Sequence, residues 1–176
     1  SLLRLLQGLL VPQRGRVTVE GPVGLVFQNP DHQLLFPTVL EELTFGLTQA
    51  GVPTAQAKAR AQALAHQHGA TPLLSLATHE LSAGQKTLVC LLAVLIDEPK
   101  TLLLDESFAN LDLMTARRMT DLIQATALRL VFSTHQLSLL KDFDEVIWLD
   151  QGRVRLQGPP ATVLAAYQAW AGAARV

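Results

Sequence analysis

The chain contains 176 residues, of which 49% are hydrophobic and 16% are charged, and its formal net charge is −1. This composition predicts a globular α/β protein with a real core and excludes a disordered chain. The near-zero charge and the lack of a basic run exclude the electrostatic footprint of a nucleic-acid-binding protein. A single cysteine, Cys90, cannot form an internal disulfide, which predicts a reducing, cytosolic compartment.

The first part of the chain predicts one helix and two strands. Leucines at helical spacing predict a helix over residues 2–10. Val17 and Val19 alternate with polar residues, as on a half-buried strand. A more continuous apolar run predicts a second strand over residues 23–27, and the segment after it, with two prolines, must be a loop.

The middle of the chain is polar and predicts helices. Thr38-Val39-Leu40-Glu41 has the pattern of a capping box, which would begin a helix that runs to about Gln49. A polar, alanine-rich helix is predicted over residues 54–68. Because residues 38–77 contain no apolar strand pattern, they are interpreted as a helical insertion into the rest of the fold.

The second half of the chain alternates strands with helices. Ser82 is predicted to cap an apolar, buried helix that runs to Ile96, and residues 101–104 form an apolar strand. The later elements are an amphipathic helix over 113–127, strands over 130–132, 146–149 and 153–157, a short helix over 137–141 and a C-terminal helix from Pro159-Pro160. This alternation predicts an α/β fold with a mainly parallel sheet flanked by helices, in a single domain spanning residues 1–176.

Two adjacent carboxylates, Asp105 and Glu106, follow the apolar strand 101–104 directly. Open α/β sheets place their ligands at the C-terminal edge of the strands. Asp105 there could hold Mg²⁺ through water, because Mg²⁺ prefers oxygen ligands and keeps part of its hydration shell. Glu106 could orient or deprotonate a water that attacks a phosphate. The alternative is that both residues simply begin a solvated loop.

Four further positions could contribute to such a site, and each has an ordinary structural alternative. Ser82-Ala83-Gly84-Gln85 offers a hydroxyl and the N-terminus of a helix, which suit a phosphate, but Ser82 could be only a helix cap. Asp112 could likewise be only a cap of the next helix. His135 follows a predicted strand and could bond a phosphate or a water, or be an ordinary surface histidine. Gln28 could touch a metal or a water, or be only a loop residue.

Taken together and in this order, these positions resemble the ATP-binding-cassette (ABC) family of ATPases. Val26-Phe27-Gln28 resembles the Q-loop of that family, Leu81 to Gln85 its signature, and residues 102–106 its Walker B strand with the catalytic glutamate. Asn110-Leu111-Asp112 resembles the D-loop, and Ser133-Thr134-His135 the switch histidine. The resemblance covers essentially the whole chain and implies a P-loop NTPase-like fold with a trimmed N-terminal antiparallel subdomain.

The resemblance also assigns roles to these residues. It implies ATP and Mg²⁺ as cofactors, with Glu106 and His135 catalytic, and Asp105 and Gln28 at the metal. Nucleotide contacts are implied for Gln28, Ser82, Ala83, Gly84, Gln85 and Asp112. Two such subunits, identical or different, bind head to tail in the family, so that Ser82 of one subunit meets the nucleotide held by the other. At Ser107 the chain departs from the family, which usually has proline after the catalytic glutamate.

The segment from Gln28 to Leu34, Gln-Asn-Pro-Asp-His-Gln-Leu, is similar to the energy-coupling-factor branch of the family. That branch contains ATPase subunits of importers for vitamins and for transition-metal ions, which implies transmembrane partner subunits and a place at the cytoplasmic face of the membrane. Leu34, Leu35 and Phe36 form an apolar cluster consistent with a docking surface. A role for two of the three in core packing is an equally open alternative.

The glycine-rich phosphate loop of the family, G-x-x-x-x-G-K-[ST] or Walker A, does not occur in these 176 residues. By resemblance, Ser1 falls just past that loop, so we expect the parent protein to continue upstream. Two alternatives to the importer stay open. One is an ABC ATPase without a transport role, although the long coiled-coil or basic insertions of such proteins are not seen. The other is a truncated cassette that cannot bind ATP.

Overall fold

The computed structural model describes residues 2–108 and 111–173. The chain forms two compact units, Ser1–Thr134 and His135–Val176. The α/β class with a parallel sheet flanked by helices is confirmed. The assignment of residues 1–176 to one domain stays a prediction, as does the subdomain over residues 38–77.

A three-stranded parallel sheet, in the order β1-β2-β3, organises the first unit. Its strands are β1 (Val23–Val26), β2 (Thr101–Asp105) and β3 (Arg129–Ser133). The central strand β2 is apolar because it is covered on both faces, and Leu102 and Leu103 are fully buried. The register pairs Val26 with Leu104 and Asp105 with Ser133, so the three strands end at one edge of the sheet.

Five helices accompany the sheet in the described part of this unit. They are α1 (Leu2–Leu6), α2 (Val39–Gln49), α3 (Thr54–Gln67), α4 (Ala83–Leu95) and α5 (Leu113–Gln124). The capping box predicted at Thr38 is confirmed, since Thr38 and Glu41 each accept a hydrogen bond from the other's backbone. An isolated antiparallel bridge joins Thr38 to Ala77, which brings the two ends of the helical segment together.

Two expectations about the N-terminal region are wrong. The first helix ends at Leu6 rather than Leu10, because Gly8 adopts a φ of +80° and Leu9 N–H bonds back to the carbonyl of Arg4. This is a common way for a helix to terminate. Val17 and Val19 lie on no strand. Residues 7–22 are all described, and none of them pairs with another segment in a sheet.

The second unit contains an antiparallel hairpin and a helix. Strands β4 (Val146–Asp150) and β5 (Arg153–Gly158) pair with each other, and α6 (Pro160–Ala173) packs against both. Trp148 on β4 meets Trp170 on α6 with 5.3 Å between ring centroids, and the Arg155 guanidinium lies 4.7 Å from the Trp148 ring. These aromatic and cation–π contacts join helix to hairpin. The short helix predicted over 137–141 is a 3₁₀ turn, Leu137–Leu140.

Close packing of β1 on α4 generates a test of the first unit's core. A Cβ added at Gly24 would lie 2.2 Å from Cγ1 of Val94, a side chain with little rotational freedom. We expect Gly24→Ala to lower the free energy of unfolding in urea by about 1–3 kcal/mol through overpacking. The control is Gly172→Ala on α6, where nothing lies within 4 Å, and which should cause no loss. Equal stability of the two variants would contradict the close approach.

Candidate functional site

The candidate site lies where β1, β2 and β3 end. Asp105 is the last residue of β2, Glu106 follows it, and Gln28 stands two residues beyond the end of β1. Because parallel strands carry their C-terminal ends to one edge, residues distant in sequence come together there. This edge gathers the glutamine loop and the two carboxylates, as their order in the sequence predicts.

Gln28 and Glu106 are in direct contact although 78 positions separate them. Nε2 of Gln28 donates to Oε2 of Glu106 over 3.2 Å, and Gln28 is exposed. An ionised carboxylate has no proton to donate, so it must face the NH₂ group of the amide. That requirement turns the carbonyl oxygen of Gln28 away from Glu106. The pair therefore presents two oxygen-bearing groups at one edge, which is the chemistry that a hydrated divalent cation or a water would need.

The backbone of Glu106 is strained. Its φ is +50°, in the left-handed region, where a residue with a Cβ costs roughly 1–2 kcal/mol. Its N–H donates to the carbonyl of Ser133 at the end of β3 over 2.9 Å, which holds this conformation. Strain of this kind persists only where the surroundings impose it, and it is concentrated at functional sites. Here the turn directs the Glu106 side chain toward Gln28.

Asp105 is half-buried at the sheet edge and pairs with Ser133 in the strand register. Within the described ranges, no three His, Cys, Asp or Glu side chains come together as a ready-made metal cage. Magnesium seldom uses such a cage: it takes one or two carboxylates and completes its shell with water and substrate phosphates. Asp105, with the amide oxygen of Gln28, therefore fits Mg²⁺ by the chemistry of its donors.

The signature segment forms the start of α4. Ser82 caps the helix in a reciprocal arrangement: its Oγ accepts from the N–H of Gln85 over 3.3 Å, and Oε1 of Gln85 accepts from the N–H of Ser82 over 2.8 Å. Ala83 and Gly84 form the first turn, with no left-handed residue among them. The predicted cap is confirmed. It satisfies two backbone donors at this helix N-terminus, and a nucleotide contact for these four residues stays a prediction.

Asp112 caps α5 next to that segment. Its carboxylate accepts from the backbone N–H of Thr115 over 3.0 Å and from the Thr115 hydroxyl over 2.6 Å, and these bonds lower the pKa of the Asp112 carboxyl. A Cβ at Gly84 would lie 3.2 Å from the methyl group of Thr115, so the N-termini of α4 and α5 are close. Asn110 of the same motif lies outside the described residues.

His135 is the first residue of the second unit. It follows Ser133, the end of β3, by two positions, as its order in the sequence requires. Its role as the switch histidine remains a prediction.

Two residues at this edge escaped the sequence analysis as site components. Ser107 is buried, and its hydroxyl donates to the carbonyl of Val26 at the end of β1 over 2.8 Å. Gln33 accepts from the N–H of Phe27 over 3.0 Å and donates to the carbonyl of Cys90 on α4 over 3.2 Å. The signals in the sequence were the replacement of the family's usual proline by Ser107 and the place of Gln33 within the segment from Gln28 to Leu34.

The apolar cluster after the glutamine loop divides between core and surface. Leu34 packs against the main core, whereas 75% of Leu35 is exposed. Phe36 packs against Phe45 of α2 in a tilted arrangement with 4.6 Å between ring centroids, and 42% of Phe45 is exposed. Leu34 therefore has a core-packing role and Leu35 does not, and a docking role for this cluster stays a prediction.

Comparison with known proteins identifies the class to which this fold and site belong. Residues 1–109 match the ABC transporter family. The chain is 44% identical to the biotin transport ATP-binding protein BioM of Rhodobacter capsulatus, over 95% of this chain and 76% of that protein. It is 33% identical to the energy-coupling factor transporter ATP-binding protein EcfA1 of Halalkalibacterium halodurans, over 93% of this chain and 65% of that protein.

A solved structure gives the same answer. The cbiO1 protein of Clostridium perfringens, described as part of the ABC transporter complex cbiONQ, superposes with a TM-score of 0.83 and 30% identity, over 93% of this chain and 73% of that one. The chain belongs to the ABC transporter family, whose ATPase subunits bind ATP. Within the family it is most like the energy-coupling-factor branch, so the resemblance drawn from its motifs is confirmed.

The strained turn at Glu106 generates a test that needs no nucleotide. Glycine tolerates positive φ, so we expect Glu106→Gly to be about 1 kcal/mol more stable than Glu106→Ala. Both variants lose the carboxylate and its bond to Gln28, so the difference between their free energies of unfolding reports the backbone strain at position 106. Urea unfolding of the two variants measures it. A more stable alanine variant would contradict the left-handed conformation of this residue.

Proposed function

We propose that this chain is the ATP-hydrolysing part of an energy-coupling-factor importer, which couples hydrolysis to the uptake of a vitamin or a transition-metal ion. The contact between Gln28 and Glu106 carries the proposal, because it unites two family motifs at the edge where a parallel sheet binds its ligands. The 44% identity to a biotin transport protein favours a vitamin as the transported solute.

Glu106 is proposed as the residue that orients the attacking water and takes up its proton. Its carboxylate lies just past the end of β2 and accepts a hydrogen bond from the amide of Gln28 over 3.2 Å. Gln28 would hold the carboxylate in place and present its own oxygen to metal or water.

Asp105 is proposed to hold Mg²⁺, through water, together with the amide oxygen of Gln28. When bound, Mg²⁺ would neutralise the negative charge that develops on the phosphate during transfer. The strand fixes the position of Asp105 through its pairing with Ser133. Phosphoryl transfer depends mainly on positioning and charge neutralisation, which suits side chains mounted on a rigid sheet edge.

A second ATPase subunit, identical or different, is proposed to complete the site. Ser82, Ala83, Gly84, Gln85 and Asp112 would face the nucleotide of that subunit, as the resemblance implies. The proximity of the two helix N-termini supports this role, because Gly84 and Thr115 place both motifs on one surface. His135 is proposed to bond the terminal phosphate or the attacking water.

A transmembrane subunit is proposed to dock on the apolar surface formed by Leu35, Phe36 and Phe45. Hydrogen bonds fix the backbone of the loop that carries Leu35 and Phe36. The N–H groups of Leu35 and Phe36 both donate to one carboxylate oxygen of Glu42, over 2.8 and 2.9 Å, and the hydroxyl of Thr78 donates to the Phe36 carbonyl over 2.8 Å. A rigid loop that presents apolar side chains loses little entropy on binding a partner.

Such docking would place the protein at the cytoplasmic face of the membrane through its partners. The described part of the chain contains no helix that is both long and apolar enough to cross a bilayer.

Hydrolysis generates the central functional test. In the natural protein, with the subunits that copurify with it, we expect Glu106→Gln to lower the ATPase turnover number about 100-fold or more, because general-base catalysis contributes that much. Glu98→Gln is the matched control: Glu98 is also a glutamate with positive φ, +52°, but it is exposed and lies at no strand end. Undiminished turnover in Glu106→Gln would remove Glu106 from its proposed role.

Docking generates a separate test. We expect Leu35→Glu to weaken copurification with the transmembrane subunit about tenfold or more, because a charge would have to be buried at the interface centre. ATP binding by the variant should be retained. Val11→Glu is the control, since Val11 is 88% exposed and lies outside this surface. Normal copurification of Leu35→Glu would contradict the docking surface and leave the hydrolysis proposal intact.

A further inference from the structure

We propose that Gln33 and Ser107 are positioning residues, which clamp the peptide group between Val26 and Phe27 and thereby hold the Gln28 amide against Glu106. The inference rests on the proposed function for its catalytic readout. It concerns residues outside the set that the motifs predicted, and it arises from hydrogen bonds between four segments of the chain.

The clamp acts on one peptide group. The carbonyl of Val26 and the N–H of Phe27 belong to the same planar unit. Ser107 Oγ donates to that carbonyl over 2.8 Å, and Gln33 Oε1 accepts from that N–H over 3.0 Å. A trans peptide is planar and points its two polar groups in opposite directions. Rotation of this plane would therefore break both bonds at once.

Each end of the clamp is anchored in a different part of the site. Ser107 is the neighbour of Glu106, so its bond ties the carboxylate turn to the end of β1. Gln33 uses its amide nitrogen to bond the carbonyl of Cys90 on α4 over 3.2 Å. The hydrogen bonds thus run from the turn that carries Glu106, through the Val26–Phe27 peptide, to the helix that begins at the signature segment.

Because the bond between Ser107 and Val26 is buried, breaking it is costly, and the loop is held in one position. Ser107 and Val26 are 4% and 1% exposed, so the Val26 carbonyl has little access to water. A buried polar group that loses its hydrogen-bond partner costs more free energy than an exposed group that loses one. Lys86 and Asp31 also link the loop to α4, at 2.6 Å, but 62% of the Asp31 side chain is exposed and such pairs contribute little. Gln33 and Ser107 are therefore the residues that position Gln28.

The first test uses ATP hydrolysis by the natural protein with its copurifying subunits. We expect Gln33→Met and Ser107→Ala each to lower kcat about tenfold, with KM for ATP changed less than about threefold, because small misplacements cost rate rather than binding. The double variant should lose less than the product of the two, since both break one unit. Thr120→Val is the control: it removes another buried hydroxyl, bonded within α5, and should leave kcat unchanged.

The second test needs no turnover. In Gln33→Met we expect amide exchange at Phe27, followed by NMR, to speed up about tenfold or more, because its acceptor is gone, while Thr120→Val leaves it unchanged. Faster exchange with unchanged kcat would overturn the positioning role. Unchanged exchange would overturn the clamp itself. If Glu106→Gln kept full turnover while exchange behaved as expected, the proposed function would fail and the clamp would stand.

Discussion

The parallel pairing of β2 with a strand on each side is the interaction on which the rest of this structure depends. The register sets Val26 beside Leu104 and Asp105 beside Ser133, so three separate turns leave the sheet at the same edge. Burial of the central strand fixes that register, since Leu102, Leu103 and Leu104 are at most 1% exposed. Each such side chain contributes about 1.5–3 kcal/mol when it is fully buried. A slip by one residue would move the carboxylates off the edge.

The edge of the sheet bears the local costs of the site. Glu106 occupies a left-handed conformation. The backbone N–H and carbonyl groups where the glutamine loop leaves the sheet are not paired with a neighbouring strand there. Hydrogen bonds from β3, Ser107 and Gln33 offset these costs. The buried sheet therefore stabilises the fold, and the hydrogen-bonded turns at its edge position the side chains of the site.

The sequence predicted the elements whose signals are local. The apolar run before Asp105 predicted β2, and the capping patterns at Thr38 and Ser82 predicted the starts of α2 and α4, because burial and capping act within a few residues. The alternation at Val17 and Val19 predicted a strand that the structure does not contain, because a strand needs a partner strand and alternation alone does not supply one. Periodicity could not reveal Gln33 or Ser107, because their bonds reach carbonyls 57 and 81 positions away.

The central claim is that the terminal phosphate of ATP lies against the edge where β2 ends. The most direct measurement is an experimental structure of the natural protein with Mg²⁺ and a non-hydrolysable ATP analogue. The account predicts the terminal phosphate within reach of Glu106 and Gln28 through a single water, with the metal beside Asp105. A nucleotide whose terminal phosphate lies on another face, with Glu106 turned toward solvent, would contradict it.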